Sequence, residues 1–178
     1  MSRLRVVFRS LLVAACLAWF AGSAGEAHAG MALGLDLNGS KMLGTAGEGL
    51  KTGFGANLRL GYALPIPLID IQPGILLRYN KWPGDTVGDV TDLDGMVGGR
   101  VALGALITPF AQLYMGYGRI KTDAGSETGP SILLGAGLDI GLPVISVGVH
   151  VDYNRVKITD EKDPTHWMSV GVDGTLSF

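Results

Sequence analysis

Residues Met168 to Phe178 are written at period two. Met168, Val170, Val172, Gly174, Leu176 and Phe178 are apolar or small, and the residues between them, Ser169, Gly171, Asp173, Thr175 and Ser177, are polar or small. Successive side chains of a β-strand point to opposite faces, so this stretch predicts a strand with one greasy side and one polar side. A lone strand of that kind has nowhere to bury its apolar side. The rest of the chain must supply partners of the same pattern.

It does so seven more times. Met31 to Leu37 alternates, and the pattern gives way at Asn38-Gly39-Ser40 to a Gly-rich loop running to Lys51. Phe54, Ala56, Leu58, Leu60 and Tyr62 define a second segment, and Ile69, Ile71, Pro73, Ile75, Leu77 and Tyr79 a third. Pro73 cannot donate to a ladder, so Pro73-Gly74 reads as a bulge or a local break in pairing. Val97, Gly99, Val101, Leu103 and Ala105 form the fourth, and Ala111, Leu113, Met115 and Tyr117 the fifth. Ile132 to Ile140 and Ile145 to Tyr153 form the sixth and seventh. No helical period or solenoid repeat interrupts the series. About eight strands of roughly 9–11 residues result, the length that a tilted strand needs to cross a bilayer.

Residues 1–29 stand apart. Arg3, Arg5 and Arg9 precede an apolar run from Leu11 to Phe20, and Ala27-His28-Ala29 offers a small-x-small cleavage site, the order of a secretory signal peptide. The run is too short to span a bilayer as a helix. Cys16 follows Val13-Ala14-Ala15 as in a lipoprotein leader, but Leu17 to Phe20 continue the apolar run beyond it, which favours cleavage after Ala29. Cleavage there removes the single cysteine, and with it disulfide and thiol chemistry. It also leaves acidic residues in excess, so no nucleic-acid surface is expected. Glycine contributes 28 of 178 residues, yet mean hydropathy is +0.33, which does not fit low-complexity disorder. The mature chain, 30–178, reads as one domain.

Alternation alone does not say which side faces lipid and which an interior. Three features choose. The second, fourth and sixth connections (Leu64 to Pro67, Ile107 to Pro109, Leu142-Pro143) are short and uncharged, whereas the first, third, fifth (Lys121 to Gly129) and seventh (Lys157 to Thr165) are long and polar. That is the arrangement of a transmembrane barrel. The polar side is rich in glycine, as a narrow lumen filled by its own side chains requires. Aromatics gather at the ends of the apolar side, with Phe54, Tyr79, Tyr117 and Tyr153 at one rim and Tyr62 and Phe178 at the other. The alternative, with the apolar face inward, is a soluble secreted or periplasmic barrel binding a small apolar ligand. A narrow channel is the third reading.

The mature chain thus resembles the small eight-stranded outer-membrane β-barrels of Gram-negative bacteria, the group that includes the OmpA membrane domain, OmpX and the opacity-type proteins. The resemblance rests on the signal peptide, strand number, loop alternation and terminal Phe178, whose strand, with Val172, Gly174 and Leu176, is similar to the C-terminal signal read by the barrel-assembly machinery. It implies an all-β, antiparallel up-and-down barrel in the outer membrane, with a structural or adhesin-like role, no enzymatic activity and no cofactor.

Two sets of residues follow from that orientation. Asp36, Arg59, Asp70, Arg78, Arg100, Asp139, His150, Asp152 and Asp173 fall on the luminal side, where enclosed charges must pair; a salt-bridge network plugging the lumen is expected. Lys81, Arg119, Lys121, Arg155 and Lys157 continue the lipid-facing register past the aromatic rim, at the height of the phosphates of lipopolysaccharide. Ser146, His150 and Asp152 share a face in the manner of a hydrolase set. However, they point inward, and the His-x-Ser arrangement of outer-membrane lipid A deacylases is missing. The acidic loop residues Asp85, Asp89, Asp92, Asp94, Asp160, Glu161 and Asp163 match no regular calcium loop, so no metal is expected there.

Overall fold

The computed structural model describes residues 30–66, 69–84, 88–103, 107–142, 144–157 and 164–178. The leader, Cys16, Asp85, Asp160, Glu161 and Asp163 lie outside them. Eight strands form one closed antiparallel barrel in chain order: β1 Gly30–Leu43, β2 Gly53–Ile66, β3 Ile69–Trp82, β4 Val90–Leu103, β5 Ile107–Thr122, β6 Gly125–Gly141, β7 Ile145–Val156 and β8 Thr165–Ser177. The strand ends of the chain close it. β8 pairs with β1, and Phe178 and Met31 exchange both backbone hydrogen bonds, at 2.7 and 2.9 Å.

Closure sets the stagger. Cross-strand partners lead from Leu33 through Leu60, Ile75, Val97, Met115, Ile132, Arg155 and His166 back to β1 at Leu43, ten residues further on. Such a shear tilts every strand and leaves an interior just wide enough for side chains.

Alternation decides the sides as the sequence indicates. Leu35, Leu77, Val97, Met115, Leu134, Val149 and Val170 are exposed, Val97 by 64%, while Asp36, Arg59, Arg78, Arg100, Asp152 and Asp173 are each 5% exposed or less. In water an apolar surface on this scale would be untenable, since soluble monomers rarely expose contiguous patches above a few hundred Å². Lipid is the solvent that suits it, and the faces are the reverse of those in a soluble apolar-ligand barrel. Phe54 and Tyr62 on β2, both exposed, are separated by eight residues, or about 20 Å along the axis of a barrel whose strands tilt by roughly 40°. Aromatic girdles about that far apart bracket the hydrocarbon layer.

Three expectations need correction. The strands span 12 to 17 residues, not 9–11, because they run on beyond the girdles. The supposed polar loop Lys121 to Gly129 is mostly ladder: Thr122 pairs with Gly125, Arg119 with Thr128, and only Asp123 and Ala124 turn the chain. Polar residues on both faces hide period two where a hairpin stands in water on both sides. Asp92 and Asp94 are not loop residues but inward-facing positions of β4, continuing the alternation that includes Met96 and Arg100. Of the two readings of Pro73-Gly74, the local break in pairing holds and the bulge does not. Gly61 pairs with Gly74 and Leu64 with Ile71 in one unbroken register, and only the two intervening pairs are missing. The exposed proline ring costs ladder bonds without shifting the strand.

Candidate functional site

Two regions hold the chemistry of the chain, the lumen and the outer rim. Polar residues enter the lumen because every second position of a strand must, and glycines opposite them make room. The carboxylate oxygens of Asp139 and Asp173, for example, lie over Gly148, with Asp173 Oδ1 3.0 Å from where a Cβ would stand.

Toward the periplasmic end, Arg100 bridges two carboxylates: Nη2 donates to Asp139 and Nη1 lies 3.3 Å from Asp173 Oδ2. Its guanidinium also stacks on Phe110, 3.4 Å from the ring centroid. Arg59 sits 3.9 Å from Asp36 and 3.8 Å from Asp173, and donates to Thr175 Oγ1 at 2.8 Å and Gln112 Oε1 at 3.3 Å. His150 places Nδ1 3.4 Å from Asp173 Oδ1 and Nε2 3.4 Å from Asp152 Oδ2, while Gln112 Nε2 donates to Asp152 Oδ1 at 2.8 Å.

A second ionic group lies nearer the outer end. Arg78 donates to Asp94, Asn154 and Ser131, and its Nε stands 3.4 Å from Asp92. Between the two groups, Leu76, Met96, Tyr114 and Leu133 form a buried apolar layer. Above Arg78, Met42, Trp82, Val90, Ile120, Val156 and Trp167 form a buried apolar cluster at the outer end, with Leu50 against it. Trp82 and Trp167 meet edge to face at 5.1 Å, and Arg78 lies 4.7 Å from the Trp167 ring centroid. Loop residues brace this end, since Leu50 bridges to Gly84 and Lys51 N–H donates to the Pro83 carbonyl.

Of the nine luminal residues named from sequence, eight are buried within these groups. Asp70 is not among them; it is half-buried near the start of β3 and accepts a 2.5 Å hydrogen bond from Gln72, because its position falls at the strand end where the lumen opens. Sequence reasoning missed Asp92 and Asp94, the counter-charges of Arg78. It also missed the apolar cap. The signal was present in Ile120, between Arg119 and Lys121, and in Val156, between Arg155 and Lys157, apolar residues flanked by charged ones. Ser146 makes no described hydrogen bond to His150.

At the rim, Arg119, Lys121, Arg155 and Lys157 are exposed and Lys81 is half-exposed. Lys81 forms an ion pair with Asp89 at 2.7 Å, and Arg119 Nε donates to Ser126 Oγ at 2.5 Å. Its hydrogen bond from Lys81 holds Asp89 below the usual carboxylate range. Two residues join this set that sequence reasoning did not place there. His166 is the register partner of Arg155 and contacts the Tyr153 ring at 6.2 Å, and Lys41 is exposed on β1 opposite Met168. Among the described residues, no group of three His, Cys, Asp or Glu side chains is placed to hold a metal ion.

A closed eight-stranded barrel with an apolar exterior, a charged interior and basic residues above one aromatic girdle defines an integral outer-membrane barrel. The sequence model of the outer membrane protein beta-barrel domain matches residues 10–175, and the chain belongs to that family. Its place is the Gram-negative outer membrane. No curated protein matches the sequence. Among solved structures, the chain is similar to Neisserial surface protein A, with 14% identity and a TM-score of 0.66 over 83% of this chain and 97% of that one. It is also similar to Ail, the attachment invasion locus protein of Yersinia pestis, solved with the heparin analogue sucrose octasulfate (17% identity, TM-score 0.55, 85% and 100% covered). The outer membrane enzyme PagL shares the fold at 13% identity and a TM-score of 0.53, over 83% of this chain and 99% of that one. At these identities the likeness is one of fold.

Proposed function

We propose that this barrel is a non-enzymatic surface-interaction protein whose outer rim engages the phosphates of lipopolysaccharide and whose lumen does not conduct. The observation that carries the reading is the belt of cations just above the outer aromatic girdle: Lys41, Lys81, Arg119, Lys121, Arg155 and Lys157, with His166 beside Arg155. Guanidinium and ammonium groups at headgroup height bind phosphate through charge-assisted hydrogen bonds. Lys41, Lys121, Arg155 and Lys157 have no ion-pair partner among the described residues, which leaves them available. Ail, of the same fold, has been solved with a polysulfated sugar, an anionic ligand of comparable chemistry. The closed lumen is supported by the apolar cap and the two ionic groups beneath it. The set Val172, Gly174, Leu176 and Phe178 is assigned to the barrel-assembly machinery.

Arg119→Ala combined with Arg155→Ala is expected to weaken lipopolysaccharide binding by the detergent-solubilised barrel at least about tenfold, and binding to dephosphorylated lipopolysaccharide is expected to be weak for both proteins. Equal binding of wild type and double variant would reject the rim. A steady ion current from the wild type in planar bilayers would reject the closed lumen.

A further inference from the structure

The cations of the rim do not form an even ring. At their height β2 presents Phe54 and β6 presents Pro130 to the outside, and the basic residues of the strands fall into two groups between them. One lies on β3, β4 and β5, where Lys81 and Lys121 are the register partners of Thr91 and Arg119 is that of Leu93. The other lies on β7, β8 and β1, where Arg155 pairs with His166, His166 with Leu43, and Met168 with Lys41. In a closed barrel in chain order β4 and β8 face each other across the axis, so the two groups stand on opposite walls.

The walls differ in what their cations already hold. Lys81 is paired with Asp89 at 2.7 Å, and Arg119 Nε donates to Ser126 Oγ at 2.5 Å. On the other wall Lys41, Arg155 and Lys157 have no ion-pair partner among the described residues, and the outward faces of β7, β8 and β1 carry no acid. His166 has one ring nitrogen to spare. Its Nδ1 lies 3.1 Å from the Pro164 carbonyl, which can only accept, so Nδ1 carries the hydrogen and Nε2 is left without a partner among the described residues. The ring reaches across from β8 to the end of β1, where its Cε1 and Nε2 stand 3.9 Å from the place a Cβ on Gly44 would take. Rows of register partners climb toward the outside from β7 to β1, so Lys41 stands at nearly the height of Arg155 although it pairs one step lower. Two strand spacings across and two residues along separate them by about 12 Å, a gap that a lysine and an arginine side chain close around one anion.

This second group straddles the seam at which the barrel closes, where β8 meets β1. We propose that a phosphate of lipopolysaccharide binds at the outer end of that seam, between Arg155, His166 and Lys41 with Lys157 above, and clamps β7, β8 and β1 together. The inference rests on the rim as a phosphate-binding surface, and adds which wall holds the ligand and what its occupancy does to the barrel. Guanidinium and ammonium supply charge-assisted hydrogen bonds. His166 Nε2 accepts from a phosphate hydroxyl or, once protonated, donates to a phosphate oxygen. A ligand held jointly by three strands binds the closed barrel and not the open chain, so it shifts the folding equilibrium toward closure. On the opposite wall the same phosphate must first displace Asp89 from Lys81, and it binds there more weakly.

The barrel is refolded into neutral detergent free of lipopolysaccharide. Its urea midpoint, and amide hydrogen exchange at the outer ends of β1 and β8, are then read with lipopolysaccharide, with dephosphorylated lipopolysaccharide and with inorganic phosphate. The wild type is expected to show a higher midpoint and slower exchange at the seam with lipopolysaccharide, and neither change with the other two. Lys41→Gln combined with Arg155→Gln is expected to bind lipopolysaccharide at least about tenfold more weakly and to lose both changes. Lys81→Gln combined with Arg119→Gln, on the opposite wall, is expected to bind less lipopolysaccharide and to keep both. If the seam variant does not refold, the wild type still decides, since slowing at the outer ends of β3 and β4 equal to that at β1 and β8 would overturn the clamp. Binding without a gain in midpoint, or loss of both changes in the opposite-wall variant, overturns the clamp and leaves the rim reading standing. Absence of any binding overturns both. A gain from inorganic phosphate equal to that from lipopolysaccharide would give the site to free phosphate and overturn the lipid as its ligand.

Discussion

The behaviour of Arg78 shows what a single luminal residue carries. It is the one cation of the outer ionic group and holds Asp92 and Asp94, all three being 2% exposed or less. Removing one partner of a buried ion pair leaves the other without compensation, at about 3–5 kcal/mol, whereas removing the whole set in favour of neutral groups costs far less. Arg78→Met is therefore expected to lower stability in urea unfolding by about 3–5 kcal/mol. Adding Asp92→Asn and Asp94→Asn to it is expected to recover most of the loss. A triple variant no more stable than Arg78→Met would show that the charges are not what Arg78 serves. Residues of this kind were only half legible in the sequence: the side of each charge followed from period two, but its partner lies on another strand and depends on a register that alternation does not fix. Arg78 and Asp94 are cross-strand partners in β3 and β4, a fact that needs the pairing and not the pattern.

At the level of the strands, legibility follows the solvent. Where one side meets lipid and the other the lumen, period two is sharp, and β2, β7 and β8 could be read directly. Beyond the girdle both sides meet water, so alternation lapses although the ladder continues, as in the outer half of the β5–β6 hairpin. The same loss hid Met42 and Trp82, which return to the axis above the girdle and pack into the cap. The hairpin is held by its own pairs from Arg119 and Thr128 to Thr122 and Gly125, and Asp123 and Ala124 at its tip are exposed. Exposed tips that carry few tertiary contacts tolerate insertion. A short Gly/Ser-flanked epitope between Asp123 and Ala124 is expected to be displayed on intact cells, with the folded, heat-modifiable form retained on gels. Loss of the folded form would mean that the tip braces the barrel.

For the whole molecule, the sign of a substitution depends on which solvent a face meets. Period two and the alternation of the connections put Val97 outside and Gly98 inside, and the closed barrel agrees: Val97 stands on the surface at 64% exposure, midway between the girdles, and Gly98 against the luminal side. In a soluble protein an exposed valine is among the cheapest positions to charge. In a membrane barrel an arginine at the midplane costs about 2–4 kcal/mol, falling to about 0–1 near the interfaces. Leu93, also outward on β4 and paired with Tyr79 and Arg119, stands at the outer interface. Val97→Arg is therefore expected to destabilise the barrel in phospholipid vesicles by about 2–4 kcal/mol, and Leu93→Arg by about 1 kcal/mol or less. Comparing urea unfolding of the two in vesicles checks both the direction of the faces and the depth of the strand in the bilayer. Equal and small losses for Val97→Arg and Leu93→Arg would mean that water, and not hydrocarbon, covers the outer face of β4.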